Sequence, residues 1–351
     1  MTTISPQQAR MRPAGADYLR VDDFMRDLVG ACALRSALEL GLVEHFLRNP
    51  ATDLAFIERQ SRLDARGLHL LLDLLRANRV IDGQNGLLSL SAPFRSALKY
   101  RDLLEAKLEF SALVAPDFLD MFSTLLTQPE RFFESSRIFD LFSYERCFAA
   151  TPENLASTRR WMRFTTILTK YEAQSCIHRH DFSGSRRLLD VGGNSGEFAL
   201  RICKAHSGVR ASILDLPVVC DIGMEHVEGQ PEADRIDFIK AGRVHAAFPS
   251  GFDTVCFKSM LHDWPDAEMH DFLQRARDSL NPGGTLLIFE RGMFDPAASG
   301  IPYSLMPIML FFRSYRAPEE YAAHLAEIGM RDIRIQAMEL DTPFILVTAV
   351  K

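Results

Sequence analysis

In the stretch Leu188-Leu189-Asp190-Val191-Gly192-Gly193-Asn194-Ser195-Gly196-Glu197 an apolar strand runs into an aspartate and a turn carries three glycines. An apolar helical pattern follows through Phe198, Ala199, Leu200 and Ile202. Glycine at a strand-to-helix turn lets backbone N–H groups come close to a ligand. The dinucleotide fingerprint G-x-G-x-x-G would need glycine at 192, 194 and 197, and Asn194 and Glu197 occupy two of those positions. No phosphate-loop lysine follows. The turn is therefore not built for a pyrophosphate. Its acidic flanks, Asp190 and Glu197, suit a ligand with cationic groups.

Outward from this turn the hydrophobic period changes. After Arg187 the pattern predicts strands at 187–191, 211–215, 235–239, 253–258, 285–290 and 344–350, separated by helical stretches. That alternation marks an α/β fold with a doubly wound, mostly parallel sheet. Before Arg187 the chain reads helical. Phe24, Leu28, Ala31, Leu34, Ala37 and Leu38 recur near the helical period, and Leu68, Leu71, Leu72 and Leu75 share one face of a helix over 64–78. Val80 to Leu90 predicts a hairpin turned at Asp82-Gly83 or Asn85-Gly86. Short helices followed by a hairpin make a winged-helix pattern. The expected organisation is a helical winged-helix-like domain over 1–100, a helical linker and pocket region over 101–182, and the α/β domain over 183–351.

The chain has 351 residues, 47% of them hydrophobic and 25% charged, as in ordinary globular proteins. A winged helix invites a nucleic-acid reading, but the net charge of −6 provides no basic footprint, and the candidate recognition helix is mostly leucine between its arginines. No nucleic-acid or membrane partner is expected, and no run reads as a bilayer span or signal peptide. Six scattered cysteines without a C-x-x-C pair fit free thiols in a reducing cytoplasm.

Three further segments fall at the carboxyl edge of the expected sheet, where open α/β folds bind ligands. Asp215, in Ile213-Leu214-Asp215-Leu216-Pro217, stands about 20 residues past the glycine turn, a position suited to a ribose hydroxyl pair; its alternative is a helix cap. In Lys258-Ser-Met-Leu-His262-Asp263-Trp264-Pro265-Asp266 the histidine is matched to proton removal near neutral pH, or else is a packed core residue beside tryptophan. Asp263 and Asp266 could cap the next helix. Glu290 ends the strand Leu286-Leu287-Ile288-Phe289 and could orient that histidine, or pair with Arg291 or Arg316. S-adenosylmethionine (SAM), with its ammonium and sulfonium, is a ligand that suits the acidic turn.

With these residues in place the chain resembles the SAM-dependent small-molecule O-methyltransferases, both the plant caffeate and acetylserotonin type and their bacterial secondary-metabolite relatives. The resemblance rests on Leu189-Asp-Val-Gly-Gly-x-x-Gly196, Asp215-Leu-Pro217, Leu261-His-Asp-Trp-x-Asp266 and Asn281-Pro-Gly-Gly-Thr-Leu-Leu-Ile-Phe-Glu290, and covers nearly the whole chain. It implies a winged-helix dimerisation domain followed by a Rossmann-like SAM domain, in a homodimer acting on a small-molecule acceptor. It also implies His262 as general base, Glu290 as its holder, Lys258 beside the adenine and Asp215 on the ribose, with Asp190, Gly192, Gly193, Gly196, Leu216, Gly242, Arg243 and Val244 completing the cofactor site and S-adenosylhomocysteine (SAH) as product. Arg243 stands where the family has an acid, and can stack on a purine face. Tyr315 stands where the plant enzymes have a glutamate.

The expected acceptor is small and largely apolar. Phe164, Thr165, Met306, Met309, Phe312, Tyr315 and Asp263 are the candidates to line its pocket, each with core packing as the alternative. No metal is expected, because Pro302 to Glu319 supplies no histidine to join His262 and Asp263. Methyl transfer to carbon or nitrogen, and a SAM-binding relative that no longer methylates, remain open alternatives.

Overall fold

The computed structural model describes residues 15–60, 63–242, 247–293, 295–296 and 301–351. Arg243 and Val244, two of the expected cofactor residues, lie outside them.

The N-terminal part opens with helices α1 (Leu28–Glu39), α2 (Leu42–Arg48), α3 (Leu54–Gln60), α4 (Ala65–Ala77) and α5 (Ala92–Ala97). Aspartates start two of them: the carboxylates of Asp27 and Asp64 accept from the N–H groups of Gly30 and Gly67, at 2.8 and 3.0 Å. The leucine face of α4 is buried as its spacing predicts. Strands β1 (Thr52–Asp53), β2 (Ile81–Gln84) and β3 (Leu87–Leu90) form a small antiparallel sheet in the order β1-β3-β2. Of the two possible turns, the hairpin uses Asn85-Gly86, with φ of 52° and 78°, the left-handed pair that a two-residue hairpin requires.

Helices α6 (Arg101–Thr127), α7 (Pro129–Ser135), α8 (Arg137–Leu141) and α9 (Pro152–Ile177) follow. Contrary to the sequence expectation, Ala92–Thr127 is long and apolar enough to cross a membrane by length and composition. Its helix α6 nevertheless buries Lys107, which pairs with Asp22 at 2.8 Å and Asp341 at 3.1 Å, and Asp117, which accepts from Ser136 at 2.6 Å. Such pairing with distant segments belongs to a core helix.

The second part holds strands β4 (Arg187–Val191), β5 (Arg210–Asp215), β6 (Ile236–Lys240), β7 (Phe252–Lys258), β8 (Leu280–Arg291), β9 (Arg331–Glu339) and β10 (Pro343–Val350). Their order is β6-β5-β4-β7-β8-β10-β9, parallel from β6 to β8, with β10 antiparallel to β8 and to β9. Helices α10 (Glu197–Ala205), α11 (Pro217–Val227), α12 (Asp266–Ser279), α13 (Met306–Met309) and α14 (Pro318–Glu327) complete the fold. The six expected strands are present. β9 was not expected, because an edge strand presents charges such as Arg331, Arg334 and Glu339 and lacks an apolar run. β4 pairs with β5 on one side and β7 on the other, so the chain reverses direction across the sheet at the glycine turn, and the ends of β4, β5, β7 and β8 meet there.

Candidate active site

Backbone geometry at the glycine turn explains its composition. Gly192 and Gly196 have φ of 66° and 75°, where a Cβ is costly. A Cβ on Gly192 would lie 2.5 Å from Met260 Cγ, on Gly193 2.7 Å from Asp190 Oδ2, and on Gly196 3.0 Å from Phe238 Cζ. The turn is thus pressed against the loop that carries His262. Gly192→Ala should therefore lower SAM affinity and activity at least tenfold, about what a strained residue costs, in a protein whose far-UV circular dichroism is unchanged. Parental binding by this variant would show that the two loops have room to separate.

Asp190 is fully buried behind the turn, and neither carboxylate oxygen has a hydrogen-bond partner among the described residues. Burial, reinforced by the nearby Asp215 carboxylate and opposed by Lys258, pushes its pKa up to about 8. Asp215 accepts from the N–H groups of Asn194 at 2.8 Å and Leu216 at 2.7 Å, tying the glycine turn to the start of α11. Burial raises it to about 6 in spite of those two donors. Two desolvated carboxylates so placed fit a cationic ligand. Glu197, the other expected acidic flank, does not contribute: it is engaged by Arg201 at 2.6 Å and His226 at 2.7 Å. Asn194 itself has φ of 54°, and its side-chain oxygen accepts from Thr165 at 3.2 Å, so Thr165 faces the turn. Lys258 points to α9, donating to Thr169 at 3.0 Å and pairing with Glu172 at 2.5 Å. Gly242, just past β6, is exposed.

His262 lies in a single helical turn, Leu261–Asp263, after Ser259, a non-glycine residue with φ of 49°. Glu290 holds this turn through every acceptor it has. Its Oε1 takes the N–H groups of Met260 and Leu261 at 2.7 and 2.8 Å, and its Oε2 takes His262 Nδ1 at 2.8 Å. Neither Arg291 nor Arg316 pairs with it. A carboxylate on Nδ1 fixes the tautomer with Nε2 free. Burial alone would depress the imidazole, yet the Asp263 and Glu290 carboxylates outweigh it and raise its pKa above the ordinary value. Burial likewise opposes ionisation of Glu290, but His262 and the two N–H donors hold its pKa below normal.

Nε2 of His262 lies 3.4 Å from Asp263 Oδ1, and Asp263 Oδ2 accepts from Tyr144 at 2.6 Å. Asp266 takes Arg316, so neither aspartate caps α12. Arg316 also donates to the carbonyls of Leu261 at 3.0 Å and Trp264 at 2.6 Å, closing the far side of the histidine turn.

Aromatic rings surround the imidazole. Phe311 meets it edge-on at 5.8 Å, and Tyr315 lies tilted beside it at 5.5 Å. Phe139 and Phe142 back Phe311 at 5.8 and 6.4 Å. Among the expected pocket residues, Tyr315 adjoins His262 and also donates to the Ile308 carbonyl at 3.2 Å. Phe164 is buried against Phe110 in the helical core. Met306 and Met309 are half-buried, and Phe312 turns outward beneath Arg313. Tyr144, Phe311 and Glu172 were not singled out from sequence, although the pocket was expected from the 110–180 helices and from Tyr303 to Phe312. For Glu172 a signal exists, since Thr165, Thr169 and Glu172 form a polar stripe at helical spacing along α9.

Residues 126–331 match the family model described as an O-methyltransferase domain. The chain belongs to this O-methyltransferase family. The methyltransferase is 27% identical over 327 residues to mitomycin biosynthesis 6-O-methyltransferase of Streptomyces lavendulae, covering 89% of this chain and 88% of that protein. It is 25% identical over 295 residues, 82% of this chain and 79% of the other, to L-tyrosine C(3)-methyltransferase of the same species. The solved structure of the mitomycin 7-O-methyltransferase MmcR superposes with a TM-score of 0.67 at 25% identity, covering 92% and 94% of the two chains.

Proposed function

We propose that this methyltransferase moves the methyl group of SAM to a hydroxyl of a small, largely apolar secondary metabolite, with His262 as general base. The observation that carries the reading is the His262–Glu290 pair, at 2.8 Å, set in an aromatic wall and pressed against the glycine turn through Met260 and Gly192. SAM supplies, when bound, a methyl carbon activated by its sulfonium and leaves as SAH. Asp190 and Asp215 offer negative charge to its cationic end and hydroxyls, and the glycine turn offers close backbone approach. Lys258, Leu216 and Gly242 complete the proposed cofactor site, and Arg243 and Val244, expected with them, lie outside the described residues.

His262 Nε2 accepts the acceptor's proton as its oxygen attacks, while Glu290 balances the imidazolium. An acceptor hydroxyl would approach Nε2 from beside Asp263, whose second oxygen Tyr144 holds. Phe311, Tyr315, Phe139 and Phe142 exclude water and offer faces to an aromatic or polyketide-like acceptor. Methyl transfer to carbon is a second reading, favoured by the likeness to the tyrosine C-methylating relative.

Calorimetric titration with SAH, with NAD as control, tests the cofactor reading. Micromolar binding of SAH alone is expected, followed by gain of one methyl on a phenolic acceptor detected by mass spectrometry. Binding without methylation across phenols, amines and 2-oxo acids would favour a non-methylating role.

The helical part exposes Leu28, Val29, Leu40, Leu47 and Leu70 by 40–62%. Exposed apolar residues in such number support docking of a second copy, as an isologous dimer. Light scattering at micromolar concentration should return about twice the 39.6 kDa monomer mass; the monomer mass would refute the dimer.

A further inference from the structure

We propose that Glu172 is a positioning residue that keeps the cofactor site selective for a positively charged sulfur, by neutralising Lys258 beside Asp190. The inference rests on the SAM reading given above.

Glu172 is 2% exposed in the C-terminal part of α9. One carboxylate oxygen pairs with Lys258 at the end of β7 at 2.5 Å, and the other pairs with Arg291 at the end of β8. Strand register puts Lys258 on the same sheet face as Asp190: Asp190 is aligned with Cys256, and Lys258 follows two residues on. The ammonium is close enough to Asp190 for its charge to be felt there.

Arg291 has a second carboxylate, Asp341, at 2.7 Å, and Asp341 in turn binds Lys107, which also holds Asp22. The six charges balance as three cations and three anions. Arg291 and Lys107 would each keep a carboxylate if Glu172 lost its charge. Lys258 would not, because its other partner is the neutral hydroxyl of Thr169. Among the described residues the nearby carboxylate left unengaged by hydrogen bonds is Asp190. A lysine turned toward Asp190 would occupy the carboxylate that must ionise to receive a cationic ligand and add repulsion of its own. SAM carries one more positive charge than SAH, so the two should respond unequally.

The test is calorimetric affinity for both ligands in the parent and in E172Q, E172D and the double variant E172Q/K258M. In E172Q, SAM should weaken roughly tenfold relative to SAH, as expected for one unit charge acting across a partly desolvated site. E172D should recover part of that ratio, and E172Q/K258M should return it to the parental value. Should E172Q fail to fold, K258M alone must shift the ratio toward SAM. A parental SAM-to-SAH ratio in folded E172Q, or in K258M where that is the variant available, overturns the proposal and leaves Glu172 a structural ion pair. A parent protein that binds neither ligand overturns the cofactor reading itself, and this inference with it.

Discussion

Replacing His262 by glutamine lowers turnover on a hydroxyl acceptor by about 10²- to 10⁴-fold, the usual contribution of a positioned general base. SAM affinity stays within a few-fold of the parent. The split is expected because His262 reaches the glycine turn only indirectly, through Met260, while its own bond goes to Glu290. Steady-state kinetics beside SAM calorimetry reads both quantities. Simultaneous loss of binding and turnover would make His262 a structural residue of the Leu261–Asp263 turn.

The pH profile carries a sign. The base must be neutral to work, and Asp263 and Glu290 hold the imidazole above its ordinary pKa against the effect of burial. Activity should therefore fall on the acid side with a midpoint above about 6.5, the value of an unperturbed histidine. An aromatic amine acceptor, neutral over this range and needing little help from a base, would flatten that limb and leave the glutamine variant active.

Asp190→Asn is expected to stabilise the ligand-free protein and to weaken SAM by tenfold or more. An ordinary carboxyl titrates near 3.8, and Asp190 titrates near 8 in the fold. A group whose folded pKa is raised contributes its stability fully below the unfolded pKa and loses it as pH rises through the folded one. The free protein should thus lose stability between pH about 4 and about 8, on the order of a few kcal/mol at the alkaline end. Asparagine removes that dependence. Asp215, raised to about 6, adds a smaller slope over the lower part of the range. Thermal melts across pH, with and without SAM, separate the effects: the parent gains most from ligand at high pH, and the asparagine variant gains little anywhere. A variant less stable than the parent at pH 8 would mean that Asp190 already has a cationic partner in the free protein.

Much of the α/β part could be read from sequence because its signals are local. Each central strand is a short apolar run between turn residues, and the three glycines report a backbone that a side chain would obstruct. The hairpin was legible for the same reason, although its turn was left open between Asp82-Gly83 and Asn85-Gly86. Long-range pairing is not written locally. Tyr144 reaches Asp263 from 119 positions away, and Arg291 finds Glu172 across a similar span. The wall beside the base falls one position from the expected residue, on Phe311 instead of Phe312, because the short helical turns after α13 do not hold the regular period. Glu197 was misjudged although its partner Arg201 stands four residues along the same helix, the spacing at which opposite charges meet.

Arg316 bears on efforts to broaden the range of acceptors. The segment from Tyr303 to Arg316 invites exchange between homologues, since it brings Phe311 and Tyr315 to the imidazole. It ends on the guanidinium that grips the carbonyls of Leu261 and Trp264. A graft of that segment displaces the grip with the wall, so a new acceptor shape would be gained together with a misplaced base. Phe139 and Phe142 approach the same space from another helical region and carry no such attachment. Libraries confined to those two positions should change acceptor preference while keeping the proton-transfer geometry of the parent.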